Sequence, residues 1–264
     1  MTSAASLRGQ DEQAEPSKAD SRMKVMREAI DKFRVTSAEI KSEGDLKFSE
    51  RPLLRYNDQT RESGQGIQGV LDATVWRLGE SGRPKAIVTL EIYQVRDGNP
   101  LLTYEFVSLT PQKFQMRNLR GPTWLPEGTQ LEMAVLPGAA APAEKARTRL
   151  IQMRELARRF TAQEKLGPQK IECRLLAQPI DRYEDGAAGI VDGAVFAFAN
   201  GTNPEMGMLL ECSDKQWSYG IFRLASAVLF VQLDGKPLIE SRKLPGYGAN
   251  LPYTATRHPI VLPE

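Results

Sequence analysis

Apolar positions in this chain follow two rhythms, and each rhythm occurs twice. Met23, Met26, Ile30 and Phe33 are three and four residues apart, as are Leu150, Met153, Ala157 and Phe160, which predicts an amphipathic helix at the head of each half. Behind each helix the period shortens to two. Within Thr74-Val75-Trp76-Arg77-Leu78, Trp76 and Leu78 share one face, and Phe196 and Phe198 take the equivalent places in the second half. That is the period of a half-buried strand. Lys85 to Val95 and Leu101 to Leu109 continue the alternation, with Asp97-Gly98 and Asp234-Gly235 marking tight turns.

The halves also match residue by residue. MREAIDKF, starting at Met26, returns as MRELARRF, starting at Met153, a displacement of 127 that also carries PLLRYND onto PIDRYED. The displacement falls to 120 where Asp72 through Glu91 matches Asp192 through Glu211, then to 115 where Tyr104 and Leu109 match Tyr219 and Leu224. The lost residues lie in turn sequences, where insertions are tolerated. Val-Leu-Pro at 135–137 recurs at 261–263. The expectation is an α+β fold of two tandem pseudo-symmetric repeats, each an amphipathic helix followed by an antiparallel β-meander, packed face to face or edge to edge. It divides the chain into a polar, disordered start (1–21), repeat one (22–118), a Pro/Ala-rich connector (119–148), repeat two (149–243) and a Pro-rich extended tail (244–264).

With 264 residues and 41% apolar content, the chain can bury one substantial core or two smaller ones. Its 35 basic and 33 acidic residues produce no net field that would draw nucleic acid or acidic membranes, so no nucleic-acid partner is expected. The densest basic stretch, Lys145 to Arg159, carries Arg147, Arg149, Arg154, Arg158 and Arg159 on the polar side of the second helix and reads as a solvated face. No apolar run is long enough for a transmembrane segment, and the start lacks the pattern of a secretory signal. As written the chain reads as cytoplasmic; it would be envelope-associated if the true start carries an export signal.

Catalytic signals are few. His258 is the single histidine, between Arg257 and Pro259 in the tail, and no G-x-S-x-G elbow supplies a nucleophile. Cys173 and Cys212 stand where the first half has Leu46 and Ile92, so they read as buried small hydrophobes, with a Cys173–Cys212 disulfide as the alternative. Two cysteines and one histidine do not make an ordinary zinc set, and neither a metal nor a cofactor is expected. Gly64-Gln65-Gly66-Ile67-Gln68-Gly69 matches G-x-G-x-x-G literally, but a polar stretch leads in and a strand leads out, so it reads as a hairpin loop.

The polar residues that recur carry more weight: Arg55, Tyr56 and Asp58 with Arg182, Tyr183 and Asp185, Asp72 with Asp192, and Glu91 with Glu211. Carboxylates paired across a pseudo-twofold axis can do acid and base work if burial drives their pKa values apart. The structural reading has arginine and aspartate bracing a turn, and Asp72 and Asp192 capping backbone at a strand entry. Trp76, answered by Phe196, reads as core; Trp124 has no counterpart and is the aromatic most open to a binding role. The candidate binding residues are therefore Trp124, Arg55, Asp58, Arg182 and Asp185.

The motifs P-[LI]-x-R-Y-x-D, D-[AG]-x-V-[WF], G-x-N-P-E at Gly201 to Glu205 and L-D-G-K at Leu233 to Lys236 together resemble a group of uncharacterised bacterial proteins with no assigned activity. The resemblance covers most of residues 22–243. It implies an envelope-associated role, since many of that group begin with an export signal, and it supplies no catalytic residue. Two functions follow as expectations. One is a noncatalytic binding or scaffolding protein whose unmatched loops, Gln59 to Gly69 and Leu119 to Pro142, meet an unknown protein or small-molecule ligand. The other is a carboxylate-dependent hydrolase with its acids in the cleft between repeats. Convergence of Asp72, Asp192, Glu91 and Glu211 in one concave pocket would favour the second.

Overall fold

Ser17 opens the first helix with a capping box: its hydroxyl accepts the Asp20 N–H at 3.2 Å, and the Asp20 carboxylate accepts the Ser17 N–H at 3.3 Å. A computed structural model describes residues 17–58, 67–118, 121–213, 215–241 and 248–263. Helix α1 (Lys18–Asp31) thus begins inside the stretch expected to be disordered, and it buries Met26, Ala29 and Ile30. Helix α2 (Ala146–Ala157) has no side-chain N-cap; Arg149, Met153 and Ala157 are its buried residues, so its tertiary contacts hold it in place.

The strands of the first half are β1 (Phe33–Thr36), β2 (Leu54–Asp58), β3 (Ile67–Leu78), β4 (Ala86–Val95), β5 (Leu101–Ser108), β6 (Gln115–Asn118) and β7 (Thr123–Trp124). A short β8 (Met133–Val135) follows. The second half supplies β9 (Phe160–Leu166), β10 (Gln169–Leu175), β11 (Asp181–Asp185), β12 (Ile190–Asn200), β13 (Asn203–Cys212), β14 (Trp217–Arg223), β15 (Val228–Leu233), β16 (Lys236–Glu240) and β17 (Tyr253–Pro259). They form three antiparallel sheets: β1-β6-β7; β17-β5-β4-β3-β2; and a curled nine-stranded sheet, β16-β15-β9-β10-β12-β13-β14-β8, with β11 also paired to β12.

This overturns the expected fold class. Strands make up 49% of the described residues against 14% helical, so the protein is mostly β rather than α+β, and its sheets do not divide into one meander per helix. The physical reason lies at the sheet edges. β8, from the stretch read as a connector, pairs with β14 (Ser218 with Val135), and β17, from the stretch read as a tail, returns to pair with β5 (Tyr253 with Val107). An edge strand offers unpaired N–H and C=O groups to any extended neighbour, and hydrophobic periodicity does not specify which neighbour takes them. In the second half β10 also joins β9 to β12, merging what would be two sheets.

Alternation along the strands separates two kinds of face. Trp76, Val88, Leu90, Ile92 and Phe106 pack with Met26 and Ile30 of α1, and Phe196, Phe198, Met206, Met208 and Leu210 pack with Met153 and Ala157 of α2. The opposite faces meet each other through Val75, Ile87, Val107 and Tyr253 on one side and Val195, Leu209, Phe222 and Leu224 on the other. Full burial of each such aliphatic or aromatic side chain is worth about 1.5–3 kcal/mol, so this inter-sheet layer holds the sheets together. It also fixes two glycines: a Cβ on Gly193 would collide with the Tyr183 ring, and one on Gly207 with the Phe222 ring.

Candidate functional site

The recurring aspartates each clamp a helix onto a sheet. Asp72, on β3, accepts Arg55 Nε at 2.9 Å and Arg55 Nη2 at 2.6 Å, and Arg22 of α1 adds its Nε at 3.2 Å. Arg55 Nη2 also donates to the Ala19 carbonyl at 2.7 Å, reaching the first turn of α1. Asp192, on β12, accepts Arg182 Nε at 2.9 Å, Arg182 Nη2 at 2.6 Å and Arg149 Nε at 2.9 Å, while Arg182 Nη2 donates to Ala146 at 2.7 Å. These aspartates bind arginines rather than capping a strand entry. Arg149 is 7% exposed and ion-paired, so the solvated-face reading of the second helix fails at that position. Hydrogen bonding to the aspartates raises the pKa of Arg55 and Arg182 above the ordinary arginine value.

Asp58 and Asp185 lie where the hairpin of one half meets the other. Asp185 accepts Arg83 N–H at 3.2 Å through Oδ2 and Ala188 N–H at 3.1 Å through Oδ1. A Cβ on Gly201 would sit 3.6 Å from Asp58 Oδ2, and the neighbouring Thr202 hydroxyl donates to the Asn57 carbonyl. Trp124 is fully buried: its ring packs against Phe106 and Phe114 at 5.3 Å each, and its Nε1 donates to Leu251 O at 2.8 Å. It is a core residue with no surface for a partner, which corrects the binding role read from its lack of a counterpart. Trp76 is likewise buried. His258, read as a tail residue, lies on β17 and stacks on Tyr104 at 5.5 Å; burial lowers its pKa. Cys173 and Cys212 are buried and not disulfide-bonded, and burial pushes the Cys212 thiol up to about 11.

The polar groups between the sheets differ from one end of the layer to the other. Glu211 accepts Arg83 Nε at 2.8 Å, Arg83 Nη2 at 2.5 Å and the Tyr183 hydroxyl at 2.6 Å. Beside it Arg77 pairs with Asp181 at 2.5 Å and places its guanidinium over the Tyr183 ring; burial still pushes the Asp181 carboxyl up against that pull. Glu91 instead accepts the Tyr56 hydroxyl at 2.8 Å and the Tyr93 hydroxyl at 2.6 Å. Glu91 faces Thr103 across the β4/β5 ladder and Thr89 faces Glu105, which puts the two glutamates on one diagonal of the same face, about 7 Å apart. Tyr253 of β17 is buried beside Glu105, with the Arg223 guanidinium 5.5 Å from its ring. The four recurring acids therefore do not share a pocket: Asp72 and Asp192 sit on the outer faces of different sheets, under different helices.

An open groove of about 540 Å³ lies at one end of the three-stranded sheet. Ser37 and Ala38 past β1, Lys113 and Phe114 before β6, and Leu125 and Glu127 past β7 line it. The wall from Leu125 to Glu127 belongs to the unmatched stretch Leu119 to Pro142 expected to meet a partner; residues 59–66 of the other unmatched loop, and with them the first three residues of the G-x-G-x-x-G match, fall outside the described residues. Among the described residues no helix is long and apolar enough to cross a membrane, and no group of three or more His, Cys, Asp or Glu side chains is placed to hold a metal ion. No family model, curated protein or solved structure matches the chain. Arg22, Arg149, Arg83 and Glu105 are the site residues sequence reasoning missed. Arg22 and Arg149 carried a signal, since they recur at the same displacement of 127. Arg83 carried none, because the second half has Asn203 at the matching position.

Proposed function

We propose that this protein is a noncatalytic binding protein that receives its partner in the groove between Ser37, Lys113, Leu125 and Glu127. The observation that carries the reading is the fate of the four acids. Each recurring aspartate is closed by two arginines, and Glu211 is closed by Arg83 and Tyr183, so the four-carboxylate cleft a hydrolase of the expected kind needs has no counterpart. The groove offers what a binding surface uses: an apolar floor at Phe114 and Leu125, with one basic and one acidic side chain at its rim. The partner is a protein segment or a small molecule.

Native mass spectrometry of the purified protein tests this. A co-purifying mass should be lost from a Lys113→Glu, Leu125→Glu variant whose unfolding midpoint is unchanged. Hydrolytic turnover that Glu91→Gln abolishes while the protein stays folded would overturn the reading.

A further inference from the structure

The outer face of the three-stranded sheet carries like charges side by side. Burial alternates along β1 and β6, so Phe33, Val35 and Met116 pack toward the α1 core while Arg34, Thr36, Gln115 and Arg117 face outward. Cross-strand pairing then sets Arg34 directly opposite Arg117, and Thr36 opposite Gln115. Like charges directly opposite each other destabilise a sheet. Arg34 turns its Nη1 to the Asp31 and Phe33 carbonyls at 3.1 and 3.2 Å, and among the described residues neither Arg34 nor Arg117 has a carboxylate partner. The acids around them are engaged elsewhere: Asp31 pairs with Arg27 at 3.0 Å, Glu39 accepts the Lys113 N–H at 2.8 Å, and Glu127 accepts Asn250 Nδ2 at 3.3 Å.

The second half builds the same kind of ladder without the charge. β9 and β15 start from Phe160 opposite Leu233, as β1 and β6 start from Phe33 opposite Asn118, and the next pair along is Thr161 with Gln232. Those two neutral side chains meet directly, Thr161 Oγ1 donating to Gln232 Oε1 at 3.4 Å. An uncharged pair therefore satisfies this rung of the ladder, and the sheet does not need two arginines there.

We propose that the arginine pair and the groove together bind an acidic protein segment in extended conformation. Its aspartate or glutamate lies across Arg34 and Arg117, and a large aliphatic side chain two positions away enters the groove against Leu125. This names the partner of the groove and rests on that reading. Thr36 and Gln115 line the groove, and their row is about 7 Å along the strands from the arginine row, the spacing of alternate side chains in an extended peptide. Guanidinium groups meet a carboxylate as planar forks, while Thr36 and Gln115 offer donors and acceptors to a peptide backbone. Single-stranded nucleic acid does not fit, because Phe33, Phe114 and Trp124 are buried in the α1 core and leave no ring on this face for a base to stack on.

The test pans a displayed random-peptide library against the full chain and against a variant carrying Arg34→Thr and Arg117→Gln, which writes the Thr161–Gln232 pair into the first half. The variant loses a like-charge pair at an exposed position, so its urea midpoint should equal or exceed the parent's. The parent should enrich peptides with an acidic residue two positions from a leucine, isoleucine or valine. Fluorescence anisotropy should then show those peptides binding the variant about tenfold more weakly, the loss expected of one charge-assisted contact. No enriched peptides, enriched peptides without the acidic residue, equal binding by the variant, or saturable binding of inorganic phosphate in place of peptides would each overturn the proposal. A lower urea midpoint in the variant would do so too, since the arginines would then serve the fold. Acidic peptides that ignore Leu125→Glu but need the arginines would instead sink the groove reading, whereas peptides that need Leu125 and ignore the arginines would leave it standing.

Discussion

Asp72 and Asp192 take the Nε and Nη2 of a strand arginine at 2.9 and 2.6 Å in both halves, and the Nε of a helix arginine at 3.2 and 2.9 Å. One layer further in, Glu91 and Glu211 share only a tyrosine hydroxyl. The outer pairs agree because each performs the same local task, fastening the first turn of a helix to the sheet beneath it. The inner pair differs because the two sheets meet only once. The β3–β4 hairpin carries Arg83 across to Glu211, whereas the hairpin facing the other way presents Thr202 to the Asn57 backbone.

The largest expected effect falls on the deeper clasp. Asp192→Ala leaves Arg149, with 8% of its side chain exposed, without its carboxylate, and removal of one partner from a buried pair costs about 3–5 kcal/mol. Asp72→Ala strands Arg22 and Arg55, whose side chains are 22% and 37% exposed and can turn to water, so its cost should be about 1–3 kcal/mol. Urea denaturation followed by tryptophan fluorescence measures both, and equal losses would show that the clasps do not differ in depth as described. Next comes the inner layer. Arg83→Met removes the bidentate donor from Glu211 at a cost of about 2–4 kcal/mol, while Tyr93→Phe removes one hydroxyl from Glu91 at about 1 kcal/mol. Arg83→Met with Glu211→Gln should cost less than the sum of the singles by more than about 0.5 kcal/mol; strict additivity would mean that the pair is not coupled.

Much of this was legible in the sequence at the level of elements. The helical spacing located α1 and α2, and Asp234-Gly235 is a tight turn with both residues at positive φ, 51° and 73°. The fold class was not legible, because the strands that decide it lie where proline and alanine hide alternation. β8 has three residues, and β17 is read from a proline-bounded tail. Repetition also misled at Trp124: lack of a counterpart signals an addition, and here the addition was to the core. The clasp arginines were half-seen, since Arg55 and Arg182 sit in a motif while Arg22 and Arg149 sit in helices whose charge reads as solvation. Arg83 was out of reach, because what it faces depends on how the two sheets pack.

High pH should separate the halves. Burial raises the phenols of Tyr56 and Tyr253, with the neighbouring glutamates adding to the shift, and takes Tyr104 to about 12; all three lie in the five-stranded sheet. The nine-stranded sheet carries Tyr183, also raised mainly by burial, and Cys212 at about 11. A group whose folded pKa exceeds its unfolded value favours the folded state while protonated, so the stability is complete below about pH 10 for tyrosine and is lost as pH climbs toward the folded values. Three raised tyrosines against one predict that amide exchange in β4 and β5 rises more steeply above about pH 10 than in β12 and β13, where Cys212 begins to give way from its ordinary value of 9.0. Simultaneous opening of both sheets would end that distinction.

The smallest effect lies at the acid end and also belongs to the first half. Burial against Tyr104 holds His258 below its ordinary pKa of 6.5, so the folded state binds its proton less readily than the unfolded chain does. The stability from this group is therefore present above pH 6.5 and declines as pH falls through the unfolded value toward the lower folded one. His258 is half-buried and solvent screens it, so the change should stay below about 1 kcal/mol. His258→Phe keeps a ring against Tyr104 and removes the titration. Urea midpoints at pH 7.5 and pH 5 should then converge between variant and parent at the higher pH, with the parent the weaker at the lower. A parent that gains stability over the variant on acidification would show that the imidazolium has a partner in the fold and that β17 is held to β5 by more than its backbone ladder.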